Sequence, residues 1–149
     1  MRLQLDGSTA IRAPAQEVFR LLTDVNFLAT TLPDAEDVRV IDATHLEAKV
    51  KVRIAVVISR LAVKMSITST EPPSRAALHV DASGSGSTMA IDSVFELVGS
   101  SPTTMKWTAN AEVGGVMAGL GSGLLKGFAT KKVAEIFEAM TKAIETAAG

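Results

Sequence analysis

The stretch EVGGVMAGLGSGLLKGFATKK (Glu112 to Lys132) joins an alternating, strand-like segment to a helix-like one, and it holds six of the eleven glycines. A strand that runs through glycines into a helix is also how a nucleotide-binding βαβ unit begins. The dinucleotide fingerprint fails because Leu124 stands at its third glycine, and the P-loop fails because neither Lys126 nor Lys131 follows a glycine. No strand-like segment follows the helix. The stretch therefore excludes a phosphate cradle.

Four glycines in this stretch stand four residues apart: Gly115, Gly119, Gly123 and Gly127. On a helix they would form a ridge without side chains. Glycine inside a helix costs about 1 kcal/mol relative to alanine, so either a closely packed backbone or room for a guest should compensate. The alternative is that the helix begins only near Gly119, which leaves Gly114 and Gly115 in a loop.

Upstream of this stretch, apolar and polar residues alternate from Val38 to Val113. The clearest segment is HLEAKVKVRIAVVIS (His45 to Ser59), which predicts one half-buried strand of an antiparallel sheet. Its inner face would carry Leu46, Ala48, Val50, Val52, Ile54, Val56 and Ile58. The later alternating segments are separated by proline- and glycine-bearing turns. Together they predict about six consecutive strands.

Helices are predicted at both ends of this run of strands. Residues 3–11 alternate as a first strand; Pro14 then begins one short helix, and Asp24 caps a second short helix that Pro33 ends. Near the C-terminus, apolar residues recur every three or four positions and predict one long helix. The order β-α-α-β6-α, in a single domain over residues 1–149, predicts an α+β fold with the long helix covering a curved sheet of about seven strands.

Composition narrows the class of function. The chain has 149 residues, a net charge of −1 and no cysteine. The charge balance argues against a nucleic-acid partner, and the lack of cysteine excludes thiol chemistry and cysteine metal sites. The N-terminus alternates instead of running apolar, and no apolar run is long enough to span a bilayer. We therefore expect a cytoplasmic protein.

Candidate catalytic groups point away from the predicted interior. His45 falls at a turn, and the parity of His79 places it outward. The same holds for the carboxylates at Asp81, Asp92 and Glu96. The polar residues on inner faces are mainly Ser69 and Ser93, which would bond to backbone. We therefore expect no catalytic residue, no metal and no cofactor, and a binding function is favoured over an enzyme.

The first turns of the long helix carry an additional apolar stripe, formed by Met117, Leu120, Leu124 and Phe128. Two interpretations remain open. The second short helix could cover it through Phe27, Leu28 and Leu32. Alternatively, this end of the helix forms the mouth of an apolar cavity, with the short helices as its rim. Both can hold for different residues.

Three stretches carry a family resemblance: GSTAIRAPAQEVFRLLTDVNFLATTLPDAE (Gly7 to Glu36), DASGSGSTMA (Asp81 to Ala90) and TTMKWTANAEVGGVMAGLGSGLL (Thr103 to Leu125). With these motifs, over nearly its whole length, the chain resembles the CoxG family, the G subunit of carbon monoxide dehydrogenase. That family lies within the START/Bet v 1-like (SRPBCC) superfamily of helix-grip folds. The motifs are structural, so they are specific for the family and weak for activity.

The resemblance implies an accessory protein of a carbon monoxide dehydrogenase-type molybdenum hydroxylase. Its implied roles are membrane recruitment and carriage of a hydrophobic molecule, such as an isoprenoid quinone or a lipid-like compound. Two alternatives remain: a polyketide cyclase- or hydrolase-like enzyme of the same fold, which would need an ionisable side chain inside, and a pure protein-docking module.

The segment RIAVVISRLAV (Arg53 to Val63) departs from the family pattern because it is apolar on both parities, with Ala55 and Val57 on the outer face. Exposed, it would promote aggregation. A homodimer, a partner enzyme or a membrane surface, with the protein peripheral to it, would cover this hairpin. Burial against the chain's own helices is the competing interpretation.

An apolar interior between sheet and helix predicts an elongated cavity for the hydrophobic ligand. Adaptable methionines suit a flexible chain. The predicted lining is Phe27, Leu32, Met65, Met89, Phe95, Met105, Trp107, Leu120, Leu124 and Phe128. For any single methionine, ordinary core packing is the competing interpretation.

Overall fold

A computed structural model describes residues 1–32, 34–100 and 102–148. In chain order the elements are β1 (Arg2–Ile11), α1 (Ala15–Leu22), α2 (Val25–Thr31), β2 (Ala35–Asp42), β3 (His45–Ile54), β4 (Val57–Glu71), β5 (Arg75–Gly84), β6 (Ser87–Val98), β7 (Thr103–Gly115), a 3-10 turn (Met117–Leu120) and α3 (Ser122–Ala148). The predicted order of elements is confirmed.

All seven strands form one antiparallel sheet in the order β1-β7-β6-β5-β4-β3-β2. Strands β2 to β7 each pair with their neighbours in sequence, as short connections favour, and β1 is added beside β7. The edges of the sheet are therefore β1 and β2. The predicted α+β helix-grip fold is confirmed, with α3 packed on the curved sheet.

The two short helices begin where the sequence predicts. Pro14 precedes α1, and the Asp24 side chain caps α2 by accepting a hydrogen bond of 2.9 Å from the Asn26 backbone N–H. The predicted stop at Pro33 lies outside the described residues. No helix in the described ranges is long and apolar enough to cross a bilayer.

The core divides into three apolar clusters. The first lies beneath α1 and the C-terminal half of α3, where Ile144 is fully buried. The second gathers residues from the β3–β4 hairpin, the end of β7 and the start of α3. The third joins α2 to β3 and β4 around Leu46. Helix α3 therefore contacts the second cluster through its first turns and both the first and third clusters through Met140.

The predicted single strand over His45–Ser59 is wrong. The chain reverses after Ile54, which pairs with Val57 across a loop of only two residues, Ala55 and Val56. Ala55 takes a φ of +54°, a value that favours glycine. Because an alanine stands at this position, the sequence contains no turn signal at the reversal. Val56 is consequently 91% exposed instead of lying on the inner face.

The reversal also changes which residues of β4 face inward. Because Ile54 and Val57 are paired, Val57 lies on the inner side, contrary to prediction, and it is half-buried. Ser59 follows on the same side and is 1% exposed, whereas Ile58 is 50% exposed. Burial of the hairpin against the chain's own helices is therefore wrong at Val56 and Ile58.

The predicted glycine ridge is also wrong. Gly115 ends β7 with a φ of +76°, Gly119 lies in the 3-10 turn, and only Gly123 and Gly127 belong to α3. A Cβ placed on either helical glycine would meet no atom within 4 Å, so no backbone packs closely against them. Helix α3 begins at Ser122. This agrees better with the alternative prediction, in which the helix starts near Gly119.

Candidate functional site: a groove between the first strand and the long helix

An open groove of about 820 Å³ lies between β1 and α3. Since β1 is an edge strand, nothing in the sheet covers its outer side. Residues 4–9 of β1 form one wall of the groove. The volume lies in the range of small-molecule pockets, about 300 to 1,000 Å³.

One face of α3 forms the opposite wall. Its lining residues follow each other at spacings of one, three and four, which places them on a single stripe of the helix. They are Lys126, Thr130, Val133, Ala134, Phe137, Glu138, Thr141, Lys142 and Glu145. The groove therefore follows the helix over about five turns.

Two aromatic rings in tilted contact form part of the groove's lining. The centroids of the Trp107 and Phe137 rings are 4.9 Å apart with an interplanar angle of 36°. Gly7 makes room for the indole, because a Cβ there would stand 2.7 Å from Trp107 Cζ2. Leu5 and Val133 add aliphatic surface. The aromatic pair gives the groove a large apolar contact area.

Charged side chains border this apolar surface. Asp6, Lys126, Glu138 and Lys142 are exposed, and Lys142 Nζ lies 3.5 Å from Glu138 Oε1. An apolar surface with a charged border suits a chain-like molecule that has a polar end.

A second depression of about 760 Å³ continues from the first beyond β1. The two share Thr141 and Glu145 as lining residues. In the second depression Glu145 Oε2 accepts a hydrogen bond of 2.8 Å from the Arg12 backbone N–H. Thr141 and Glu145 thus lie where the two depressions adjoin.

Of the ten predicted lining residues, the groove contains Trp107. The other nine lie elsewhere, and eight of them pack in the core clusters. Phe27, Phe95 and Met105 belong to the first cluster with Trp107; Met89, Leu120 and Phe128 belong to the second; Leu32 and Met65 belong to the third. The structure therefore does not bring the predicted set together in the groove.

Leu124, the tenth residue, is 45% exposed at the start of α3. The stripe that was predicted with it is split. Met117 is buried and packs in the second cluster with Leu120 and Phe128, whereas Leu28 and Leu32 pack in the third. The prediction that α2 covers this stripe is therefore wrong, because Met117, Leu120 and Phe128 pack against residues of the second cluster instead.

The buried polar residues among those described are Thr31, Ser59, Ser87 and Thr103, and none of them is ionisable. Thr103 Oγ1 donates to the Ala13 carbonyl at 2.7 Å, and Ser87 Oγ accepts from the Met117 N–H at 3.1 Å. Ser69 was predicted inward but is exposed, because the register of β4 shifts after Ile67. Ser93 donates to the Thr108 carbonyl at 2.9 Å, a bond to backbone of the predicted kind.

On the opposite face of the sheet, His79 joins two carboxylates. Its Nδ1 lies 2.7 Å from Asp92 Oδ1, and its Nε2 lies 3.1 Å from Asp81 Oδ1. The hydrogen bond to Asp92, and then the contacts with Asp81, raise the pKa of His79 above its ordinary value. Parity predicted all three outward, but only the β5–β6 register brings them together. No group within the described ranges has the arrangement of a metal site.

The β3–β4 hairpin forms a second exposed feature. Residues 48–64 contain five basic residues and no acidic one. The sheet register places Lys51 beside Arg60 and Arg53 beside Ile58, next to the exposed Val56. Among the described residues, Lys51, Arg53 and Arg60 form no ion pair. The tip is therefore apolar with a positively charged base.

Comparison with solved structures places the fold among START-like proteins. A conserved protein from Geobacillus kaustophilus matches with a TM-score of 0.87 at 24% identity, over 99% of this chain and 98% of that chain. The Zhui aromatase/cyclase from Streptomyces sp. R1128 matches with a TM-score of 0.67 at 16% identity, over 97% and 94%. A START superfamily protein from Mycobacterium smegmatis matches with a TM-score of 0.65 at 14% identity, over 97% and 96%. At these identities the likenesses show the fold alone.

Among proteins with curated descriptions, none matches the chain. The profile of one family, described as CoxG, the G subunit of carbon monoxide dehydrogenase, matches residues 7–145. That span includes all of β2 to β7, half of β1 and most of α3, and the groove lies between β1 and α3. The match also agrees with the resemblance carried by the glycine-rich stretch after β7. The chain therefore belongs to the CoxG family.

Proposed function

We propose that this protein is a non-catalytic carrier that binds a hydrophobic ligand, an isoprenoid quinone or a lipid-like molecule, and delivers it for a carbon monoxide dehydrogenase-type molybdenum hydroxylase. Membership in the CoxG family implies the association with carbon monoxide dehydrogenase. The observation that carries the ligand-binding part is the groove of about 820 Å³ with the Trp107–Phe137 pair in its lining.

Area burial can supply the affinity that a carrier needs. Removing about 500 Å² of apolar surface from water, at about 25 cal/mol per Å², contributes about 12 kcal/mol. Association costs at least about 4 kcal/mol. The remainder is at most about 8 kcal/mol, which corresponds to a dissociation constant of micromolar or weaker. Such binding is tight enough to extract a ligand and weak enough to release it.

The buried interior supports binding over catalysis. The described residues that are buried include no acid, base or nucleophilic amine, so general acid–base chemistry has no group in the core. The charged residues of the groove lie at its exposed border. The nine predicted lining residues outside the groove remain part of the proposal as an inner site that a ligand would open between the sheet and α3.

Two substitutions distinguish the groove from the inner site. Ala134 lies in the groove wall on an exposed part of α3, so Ala134→Trp should fill the groove without disturbing the core. Leu124→Trp alters the predicted inner site instead. We expect mass spectrometry of the freshly purified protein to find a bound prenyl or acyl species. In titrations with a farnesyl-bearing quinone, we expect Ala134→Trp to weaken binding at least tenfold.

The outcomes separate the sites. A loss of affinity in Ala134→Trp with Leu124→Trp unaffected supports the groove. The reverse supports the inner site predicted from sequence and overturns the groove. If wild type retains no ligand and binds none of the quinone at several hundred micromolar, the carrier function is wrong.

The hairpin supports recruitment to a membrane. An apolar tip with three unpaired cations suits a surface of anionic lipid, where each cation contributes about 1 kcal/mol. In sedimentation with vesicles of phosphatidylglycerol and phosphatidylcholine, we expect Val56→Asp to lower the bound fraction severalfold. Ile41→Asp, on β2, is the matched control because Ile41 is also exposed. Equal binding by wild type and Val56→Asp would exclude the hairpin as the membrane contact.

A further inference from the structure

Two threonines on the groove face of α3 differ in how their hydroxyl groups are satisfied. Thr130 Oγ1 donates a hydrogen bond of 2.8 Å to the Lys126 carbonyl, one turn earlier. Thr141 Oγ1 is buried and has no hydrogen-bond partner. Both residues lie well inside the same helix and line the same groove. The two hydroxyl groups therefore differ in hydrogen bonding because of their positions, since the residue type is the same.

A helical threonine ordinarily bonds the carbonyl three or four residues earlier, as Thr130 does. A buried hydroxyl without a partner costs free energy, and native proteins rarely keep one. Such a group calls for an explanation, and a partner supplied from outside the chain is one. Thr141 is one of two such residues among those described; the other, Ser59, lies in the β3–β4 hairpin, away from the groove.

The position of Thr141 suits contact with a ligand. It lies at the junction of the groove and the second depression, and it follows Phe137, the partner of Trp107, by one helical turn. From Lys126 to Thr141 the helix provides about 22 Å of groove. An apolar chain lying along this length could place its end at the threonine.

The charges around this junction are balanced. The two depressions are lined by the acids Asp6, Glu138 and Glu145 and by the bases Arg12, Lys126 and Lys142. Three of each sign leave no net charge, and Lys142 already lies beside Glu138. An ionic headgroup would gain little here. A neutral group with an oxygen acceptor would satisfy the buried, unpaired hydroxyl of Thr141.

We propose that the Thr141 hydroxyl donates a hydrogen bond to a carbonyl or other oxygen acceptor at the polar end of a neutral ligand, whose apolar part lies against Trp107 and Phe137. Because Oγ1 is buried, this contact requires a rotation about χ1 of Thr141 that brings the hydroxyl to the groove surface. This inference rests on the proposed carrier function, and it names the chemical class of ligand that the groove selects.

The test compares 2-dodecanone with dodecane, which share an apolar chain and differ in the carbonyl. Binding is followed through the fluorescence of Trp107, the single tryptophan. We expect wild type to bind the ketone more tightly than the alkane. Thr141→Val should lower ketone affinity about tenfold and leave alkane affinity unchanged, and Thr141→Ser should restore the preference.

Stability gives a second measurement that does not depend on a ligand. Thr141→Val removes an unpaired buried hydroxyl, so its Tm should rise by about 2 °C. Thr130→Val removes a hydroxyl that is satisfied, so its Tm should fall or stay unchanged.

Each outcome has one meaning. A ketone preference that survives in Thr141→Val overturns the role of this threonine and leaves the carrier function intact. Wild type that binds both compounds equally also overturns it. If wild type binds neither compound, and the quinone titration fails as well, both the carrier function and this inference are wrong.

Discussion

The two halves of α3 differ in how they are held, although they belong to one helix. In the C-terminal half, Ile144 is fully buried and Phe137 stacks on Trp107. In the N-terminal half, Leu124 is 45% exposed, and a Cβ on Gly123 or Gly127 would meet no neighbour within 4 Å. The C-terminal half therefore anchors the helix to the sheet. The N-terminal half is attached mainly through Leu125 and Phe128.

The comparison shows that apolar residues at helical spacing do not guarantee burial. Leu124 and Ile144 both belong to apolar stripes in the sequence, but only Ile144 faces strands and α1 across a filled core. At the start of the helix, the sheet and the 3-10 turn cover one side only. Burial there is decided by what the rest of the chain places opposite.

The largest expected effect contrasts the two halves directly. Ile144→Ala should lower the free energy of unfolding by about 2 to 5 kcal/mol, because it leaves a cavity in the first cluster. Leu124→Ala should cost less than about 1 kcal/mol, because much of that side chain is already in water. Urea denaturation of both variants measures the difference. Equal losses would mean that the N-terminal half is packed as firmly as the C-terminal half.

The next effect concerns the contact beneath the anchored half. Gly7→Ala would place a methyl group 2.7 Å from Trp107 Cζ2, so the indole must shift and its stacking on Phe137 must change. We expect a loss of about 1 to 3 kcal/mol, as for an overpacked core, and an altered emission spectrum of Trp107. Ser8→Ala, at an exposed neighbour on β1, is the control. An unchanged spectrum in Gly7→Ala would contradict the close approach.

The smallest expected effect is a stabilisation in the loosely held half. Gly127 is helical and faces open space, so Gly127→Ala should raise the free energy of unfolding by about 0.5 to 1 kcal/mol. Gly115→Ala should instead destabilise, because Gly115 has a φ of +76° and its Cβ would collide with the Gly86 carbonyl. Thermal unfolding of the two variants compares them. A loss of stability in Gly127→Ala would show that something packs there.

Much of the fold could be predicted because its signals are local. The alternation in β5, β6 and β7, the Asp24 cap and the helical spacing after Lys132 each reflect the geometry of one element. The β3–β4 reversal could not be predicted from pattern, since Ala55 and Val56 continue the apolar run and Ala55 adopts a positive φ without glycine. The pairing of β3 with β4 supplies the force that holds this turn.

The walls of the groove were predicted less well than the fold. Trp107 was expected inward from the alternation of β7, and it does line the groove. The sequence did not predict that residues 4–9 of β1 and the stripe from Lys126 to Glu145 face each other across a groove. Their proximity depends on where α3 crosses the edge of the sheet, and the two walls come from opposite ends of the chain. No local pattern reports such a crossing.

The amino-acid sequence by itself determined the family, the order of strands and helices, and the apolar character of the interior, because period, capping and turn chemistry act between near neighbours. Only the tertiary structure decided where the hairpin turns, which residues of α3 lie in solvent, and that Trp107, Phe137 and Thr141 line a groove at the β1 edge. These features depend on strand register and on the packing of α3 against the sheet. Both are set by contacts between residues far apart in the chain.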